Sequence, residues 1–258
     1  MIYQKYCPSD KLQDEIYNKW LKRYTSDDLI NYRFNPYSAK KTIYNISEIN
    51  QLINILSKKP ANCKILDFGM GWGGFVQAAR LMGLEAYGIE LSNDKIQYNR
   101  SNGLKIISWE EISSYSFDFI NVQQVFEHVD KPFQILKYLL GGLTDKGFMK
   151  ISVPDASNVK SNLKKDFKSE WFHAKGKSYS LNPVEPLQHL NGFNYKSLII
   201  MTSLLGLREL KNPIGNFQKN SVGVLSYNNL FKYTASSIYH LINRLQGKNT
   251  NLLLQKVK

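Results

Sequence analysis

Cysteine is nearly missing from this chain of 258 residues: Cys7 and Cys63 are the only two. They cannot build a disulfide framework or a Cys-rich zinc site, so no metal is expected and a reducing compartment, the cytoplasm, is. Long apolar runs are missing as well. The longest, from Leu198 to Leu207, is broken by Thr202, Ser203 and Gly206 and is too short to cross a bilayer. Pro8, Ser9 and Asp10 follow so soon after Met1 that no signal peptide is expected. No internal repeat and no low-complexity tract occurs. The 16 glycines and 8 prolines follow no period, and aromatics make up 13% of the chain, so collagen-like and fully disordered readings are excluded.

Acidic residues are the other shortage: 21 Asp+Glu stand against 34 Lys+Arg, for a net charge of +13. The shortage is uneven. Residues 1–60 carry 10 basic and 6 acidic groups, and 146–195 carry 8 and 4. Residues 196–258 carry 9 and 1, whereas 61–145 are net acidic, with 7 basic and 10 acidic. An anionic partner should therefore meet the flanks of the chain rather than its middle. The lysines form no run of five or more, and no RNA-binding appendage is recognisable, so nucleic acid is not the favoured partner.

The hydrophobic pattern changes along the chain. Leu12, Ile16, Trp20 and Tyr24 are spaced by four and predict an amphipathic helix over 11–24. A loop is expected from Asn31 to Lys41, then a second helix over 46–57, stopped by Pro60. These elements, residues 1–60, read as an N-terminal helical cap. From residue 61 onward short apolar strands alternate with helices. Strands are expected at 64–68, 85–89, 104–107, 117–122 and 147–153. Helices are expected at 75–82, at 92–102 with Ser92 as N-cap, and up to Leu140 with Asp130 as the cap and Pro132 in the first turn. Strands separated by helices of this length imply a doubly wound, mostly parallel α/β sheet. Residues 155–194 lose the alternation and read as a lid inserted into the domain 61–258. After it come a helix at 195–205, a strand near 207–210, a helix at 228–245 and a last antiparallel strand at 251–257. Val222–Tyr227 competes for that last place.

The run from Ile65 to Phe75 contains both G-x-G-x-x-G (Gly69, Gly71, Gly74) and D-x-G-x-G-x-G (Asp67, Gly69, Gly71, Gly73). Either way, glycines let the chain turn sharply from strand into helix and let a ligand lie against bare backbone. Glu90 ends the next strand, where a carboxylate reaches both hydroxyls of an adenosine ribose and would repel a 2′-phosphate. The two templates part at Asp67. A dinucleotide places a pyrophosphate on the helix N-terminus, and an acid just before the glycines opposes that anion. S-adenosylmethionine has no phosphate and carries a sulfonium and an ammonium, which Asp67 and the acidic middle of the chain favour. An NAD-dependent oxidoreductase is the weaker alternative.

These residues carry a resemblance. Asp67-Phe-Gly-Met-Gly-Trp-Gly73 resembles motif I of class I S-adenosylmethionine-dependent methyltransferases, and Tyr87-Gly-Ile-Glu-Leu-Ser92 resembles their ribose-binding motif. Phe117 to Val129, ending in Glu127-His-Val129, resembles their fourth strand and the loop after it. Leu143 to Pro154 resembles their fifth strand. The likeness spans roughly 60–210. It implies a Rossmann-like, seven-stranded sheet and S-adenosylmethionine as cofactor. The cofactor-binding residues it implies are Asp67, Gly69, Gly71, Gly73, Glu90 and Leu91, with Trp109 and Glu110 beside the adenine and Gln123 and Gln124 beside the methionine part. The chain has Asn121-Val-Gln-Gln124 where amide- and base-methylating relatives carry Asn/Asp-Pro-Pro-Tyr/Phe, so that chemistry is disfavoured. A finer resemblance, including Glu185 to Phe193, is to small-molecule methyltransferases of bacterial surface-polysaccharide clusters, which implies capsule biosynthesis.

Methyl transfer to a hydroxyl gains from a base. Of four histidines, His189 ranks first and His128 second as that catalytic group; His173 falls in the lid, and His240 reads as structural. The expected acceptor is a small anionic molecule, a sugar derivative or a phosphorylated or phosphoramidate metabolite. The alternative is an RNA methyltransferase or an RNA-binding module.

Overall fold

Ile65 and Leu66, Phe119 and Ile120, Phe148 and Met149 are fully or almost fully buried in adjacent pairs, so both faces of the strands that carry them are covered. The computed structural model describes residues 1–3, 8–16, 36–166, 168–175, 177–186, 188–210 and 250–257. In chain order these form β1 (Ile2–Tyr3), α1 (Asp10–Glu15), α2 (Pro36–Leu56), β2 (Lys64–Phe68), α3 (Gly74–Leu81), β3 (Glu85–Ile89), α4 (Asn93–Ser101), β4 (Lys105–Ile106) and β5 (Phe117–Gln123). They continue as α5 (Pro132–Leu139), β6 (Leu143–Ser152), α6 (Val159–Asn162), β7 (Asn191–Gly192), α7 (Tyr195–Ser203), β8 (Leu207–Glu209) and β9 (Asn251–Lys256).

Seven strands make one sheet in the order β4-β3-β2-β5-β6-β9-β8. β2 to β6 are parallel, and β9 lies antiparallel between β6 and β8. This is the doubly wound, mostly parallel, Rossmann-like sheet expected, and β9 is the last strand expected at 251–257. One face of the sheet packs Ile65, Phe119, Phe148 and Leu253 against Ile49 and Leu52 of α2 and Phe75 and Val76 at the start of α3. The other packs Leu66, Ile120, Met149 and Leu252 against Leu136 and Leu139 of α5 and Leu198 and Met201 of α7. Alternate residues of each strand thus serve opposite layers.

Several boundaries differ from expectation. α2 begins at Pro36, inside the stretch expected as a loop. Lys131, not Asp130, is the N-cap of α5, and Ser92 stands at the N-cap of α4 without a capping bond from its side chain. β6 starts four residues earlier than expected because Leu143 pairs with Phe117 ahead of an irregularity in the ladder. Residues 17–24 of the helix expected over 11–24, the helix expected at 228–245, the segment 222–227 that competes for the last strand, Cys7 and His240 lie outside the described residues.

Between β6 and α7 the chain runs through α6 and short 3₁₀ turns at Ser169–His173 and Asn182–Val184. Ala156, Val159 and Leu181 form a small core there, with Ile2, Trp171, Phe172 and Val184 packed against it. β1 pairs with β7, which brings the start of the chain onto this segment.

Candidate active site

The order in which strands are added reverses between the parallel neighbours β2 and β5; β3 and β4 extend the sheet one way and β6 the other. In open α/β sheets, ligands bind beyond the C-terminal strand ends at such a point. The glycine-rich turn occupies that place. Gly69, Gly71 and Gly73 have φ of +80°, +57° and +73°, a region L side chains rarely adopt. A Cβ on Gly69 would stand 2.5 Å from Cγ2 of Val125, and one on Gly73 would collide with Asn99 and Leu104. A Cβ on Gly71 would meet no atom of the described residues within 4 Å. Two of the glycines therefore answer to packing, while the third leaves its backbone open on the outer side.

Glu90 closes this turn. Its Oε2 accepts from the N–H of Gly71 at 2.8 Å, and its Oε1 accepts from the N–H groups of Leu91 and Ser92, both at 3.0 Å. Asn99 donates to the Gly71 carbonyl at 2.8 Å, holding the turn from α4. Each carboxylate oxygen has two lone pairs; Oε2 uses one of them in this set of bonds and so retains acceptor capacity. Leu91 beside it is 84% exposed.

Asp67 is buried where β2 faces β5, and its Oδ1 accepts from Nδ2 of Asn121 at 2.7 Å. Burial raises its carboxyl from 3.8 to about 7, against the opposing pull of the Asn121 hydrogen bond and the Lys150 charge. The sign of the linkage follows. The folded pKa exceeds the unfolded one, so the stability tied to protonated Asp67 is lost as pH rises through about 7. Asp67→Asn keeps an acceptor for Asn121 and has no charge to bury. Its melting temperature should exceed that of the parent by a margin that grows from about pH 4 to about pH 7 and then levels off. Thermal melts at matched pH values check this, and a margin that does not change with pH would refute it.

Gln123 ends β5 and Gln124 follows it, both exposed. Gln124 holds a left-handed φ of +57°, and its N–H donates to the Ser152 carbonyl at 2.7 Å. A non-glycine residue in this region is strained, and such strain gathers at functional sites. Trp109 is half-buried. One face stacks on Tyr138 of α5 with ring centroids 4.3 Å apart, and Phe68 lies 5.6 Å away. Only its remaining face or edge can meet a ligand, a narrower role than that expected. Glu110 is exposed next to it.

The two histidines ranked for catalysis come together. His128 follows β5, His189 precedes β7, and their ring centroids are 4.8 Å apart. Nδ1 of His189 lies 2.5 Å from the Asn182 carbonyl, and Nδ1 of His128 lies 2.7 Å from the Gln188 carbonyl. Burial lowers both, with His128 contributing at His189, which falls to about 4. A group of that pKa is a weak proton acceptor near neutral pH, so the role expected of His189 as general base is a poor fit to its surroundings. His173 is 69% exposed at its side chain and lies 3.2 Å from Glu185.

A methyltransferase domain family model matches residues 40–207. The chain belongs to that methyltransferase family. Solved structures agree at the level of the fold. A plantazolicin methyltransferase, BpumL, solved with S-adenosylhomocysteine, is 16% identical with a TM-score of 0.54, covering 96% of each chain. A second plantazolicin methyltransferase, BamL, solved with a triazolic desmethyl analogue and S-adenosylhomocysteine, is 19% identical with a TM-score of 0.50, covering 96% of this chain and 95% of that one. A putative sarcosine dimethylglycine methyltransferase from Galdieria sulphuraria is 17% identical with a TM-score of 0.50, covering 85% and 86%. No curated protein matches the sequence. The fold is that of the S-adenosylmethionine-dependent class, and methyl transfer replaces the oxidoreductase reading. No helix among the described residues is long and apolar enough to cross a membrane.

Sequence reasoning missed three features of this methyltransferase. Glu127 was seen only as part of a motif; it is 1% exposed, and burial raises it from 4.5 to about 8. Asn121 was seen only as a departure from another motif, yet it binds Asp67. The third is a buried ion pair, Lys150 to Glu48 at 2.6 Å, which ties α2 to β6. An isolated lysine inside an apolar strand was the available signal for the last, since such a residue is almost never buried unless paired.

Proposed function

We propose that the chain transfers a methyl group from S-adenosylmethionine to a small anionic acceptor in the cytoplasm. The acceptor class is a phosphorylated or phosphoramidate-bearing sugar derivative of the kind that enters capsule polysaccharide. The observation that carries the cofactor half is the turn at Gly69–Gly73, with open backbone at Gly71 and the Glu90 carboxylate bonded to it. When bound, the cofactor supplies an electrophilic methyl group on a sulfonium. Gly71 lets it approach the main chain while Gly69 and Gly73 allow the turn that holds it, Glu90 accepts from ribose hydroxyls, and Asp67 favours the cationic methionine end. Gln123 and Gln124 flank that end, while Trp109, Glu110 and Leu91 border the adenine. The protein's task is then to hold acceptor oxygen, methyl carbon and sulfur in line at near-attack distance.

The acceptor half rests on charge. Lys160, Lys164, Lys165, Lys168, Lys175 and Lys177 are exposed on the segment that follows β6, which we assign as a lid over residues 155–194 of a catalytic domain 61–258 with an N-terminal cap at 1–60. Their field draws and orients a phosphate or carboxylate and gives nothing to a neutral sugar. Two measurements test the proposal. S-adenosylhomocysteine at a hundredfold excess over its Kd should stabilise the protein by roughly 2.7 kcal/mol; a folded protein with no thermal shift refutes the cofactor half. Turnover over anionic metabolites, neutral analogues and RNA at two salt concentrations should favour the first group with a shallow salt dependence. A preference for neutral acceptors defeats the acceptor half. So does activity confined to RNA that falls roughly 0.7–0.9 log units per phosphate contact for each tenfold rise in salt.

A further inference from the structure

Glu127, His128 and His189 stand together at the end of β5, and the cofactor contacts proposed above use none of them. A carboxylate oxygen of the first and a ring nitrogen of each of the others lie within 4.8 Å of one another. Neither oxygen of the buried Glu127 has a hydrogen-bond partner among the described residues. Proteins seldom bury a carboxyl and leave both its oxygens unsatisfied, because nothing then offsets the cost of removing it from water.

The imidazoles beside it are oriented. Both Nδ1 atoms sit against main-chain carbonyls, of Gln188 and of Asn182. A carbonyl only accepts, so each Nδ1 carries the hydrogen, and the lone pair of each neutral ring is on Nε2. Nε2 of His128 lies 3.9 Å from Oε1 of Glu127. Histidines that bind metal ions are held in this way, with the other ring N–H fixed by a carbonyl or carboxylate. A further layer fixes those carbonyls. Glu185 accepts from the side chains of Asn182 and Gln188, both at 2.9 Å. On the other side, Asn191 donates to the carbonyls of Glu127 and Val129, at 3.1 and 2.6 Å, and so holds the loop that carries Glu127.

We infer that Glu127, His128 and His189 form a site for a divalent transition-metal ion, whose remaining positions take an oxygen of the methyl acceptor. Two imidazoles and one carboxylate suit Mn, Fe, Co or Zn rather than Ca or Mg, and three protein ligands leave coordination positions open. Ligand atoms bound to one such ion stand roughly 3–3.5 Å apart, given bonds of about 2.1 Å, so donors at the 4.8 Å limit need to close by roughly 1.3–1.8 Å. The ion lowers the pKa of a bound hydroxyl. The acceptor's O–H proton leaves to solvent, and its oxygen lone pair forms the new C–O bond as the methyl–sulfur bond breaks with its electrons going to sulfur. The acceptor half of this inference rests on the methyl-transfer reading; the metal half does not.

The test uses the whole chain freed of metal with EDTA and shown to be folded by circular dichroism. Titration with Co²⁺ should give visible d–d absorption that saturates at one equivalent and is displaced by Zn²⁺. Glu127→Gln and His189→Ala should weaken that binding at least tenfold. His128→Ala, at a half-buried position, gives the same reading if the buried variants fail to fold. Absence of saturable absorption overturns the site, as does unchanged Co²⁺ binding in folded variants. Calorimetry with S-adenosylhomocysteine runs in parallel. Its binding without Co²⁺ binding overturns the metal site alone, and the reverse overturns the cofactor reading alone. With turnover in hand, loss on EDTA treatment and recovery with Mn²⁺ or Zn²⁺ is expected; indifference to EDTA overturns the acceptor half.

Discussion

Lys150→Met is expected to destabilise the protein by about 3–5 kcal/mol, the usual consequence of breaking a buried ion pair from one side. The side chains of Lys150 and Glu48 are 4% and 3% exposed and meet at 2.6 Å. The other carboxylate oxygen of Glu48 has no partner among the described residues, so without the ammonium the whole group is left uncompensated. Asp67 loses a counter-charge in the same step, since Lys150 is among the groups that hold its carboxyl down. In a chain of this size the loss corresponds to a fall in melting temperature of roughly 6–20 °C. Urea denaturation gives the free energy directly, provided the slope with denaturant is unchanged. The double variant Glu48→Leu/Lys150→Met removes both charges and should recover most of the loss, because apolar replacements for a buried pair are often neutral or stabilising. A single variant that costs less than about 1 kcal/mol would show that α2 does not depend on the pair.

Glu90→Ala should weaken S-adenosylhomocysteine binding by roughly tenfold to several hundredfold. A hydrogen bond to a charged group is worth about 1.5–3 kcal/mol. The substitution acts twice: it removes the acceptor for the ribose, and it orphans the N–H groups of Gly71, Leu91 and Ser92 that now converge on the carboxylate. Glu90→Gln separates the two effects, since an amide oxygen can still accept from the turn. Calorimetry should place its affinity between those of the parent and the alanine variant. Unchanged affinity in Glu90→Ala would assign Glu90 to the turn alone.

Much of the cofactor end of the molecule was legible because its constraints are local. The left-handed φ values at Gly69, Gly71 and Gly73 are demands of a strand-to-helix turn that a glycine meets at the position itself, so the residues announce the geometry. The strands announced themselves in the same way, as short apolar runs between helices, and Glu90 was placed by its position at the end of one of them. Trp109 shows the limit of that logic. Its place after β4 was readable, but the ring of Tyr138 that covers one of its faces arrives from α5 and leaves no mark near residue 109.

The sequence by itself determined the doubly wound order of strands and helices, the glycine turn and the acid that answers it, and left two segments competing for the last strand. Each feature it determined depends on a pattern carried within some tens of residues. Only the tertiary structure decided that α2 begins at Pro36 and is bound to the sheet through Glu48 and Lys150, 102 residues apart. It alone decided that His189 crosses back onto Glu127 and His128. The physical reason is the same in both cases. A buried charge or an unpartnered carboxyl takes its meaning from what stands against it, and the partner is delivered by chain closure rather than by any periodicity of the chain that carries it.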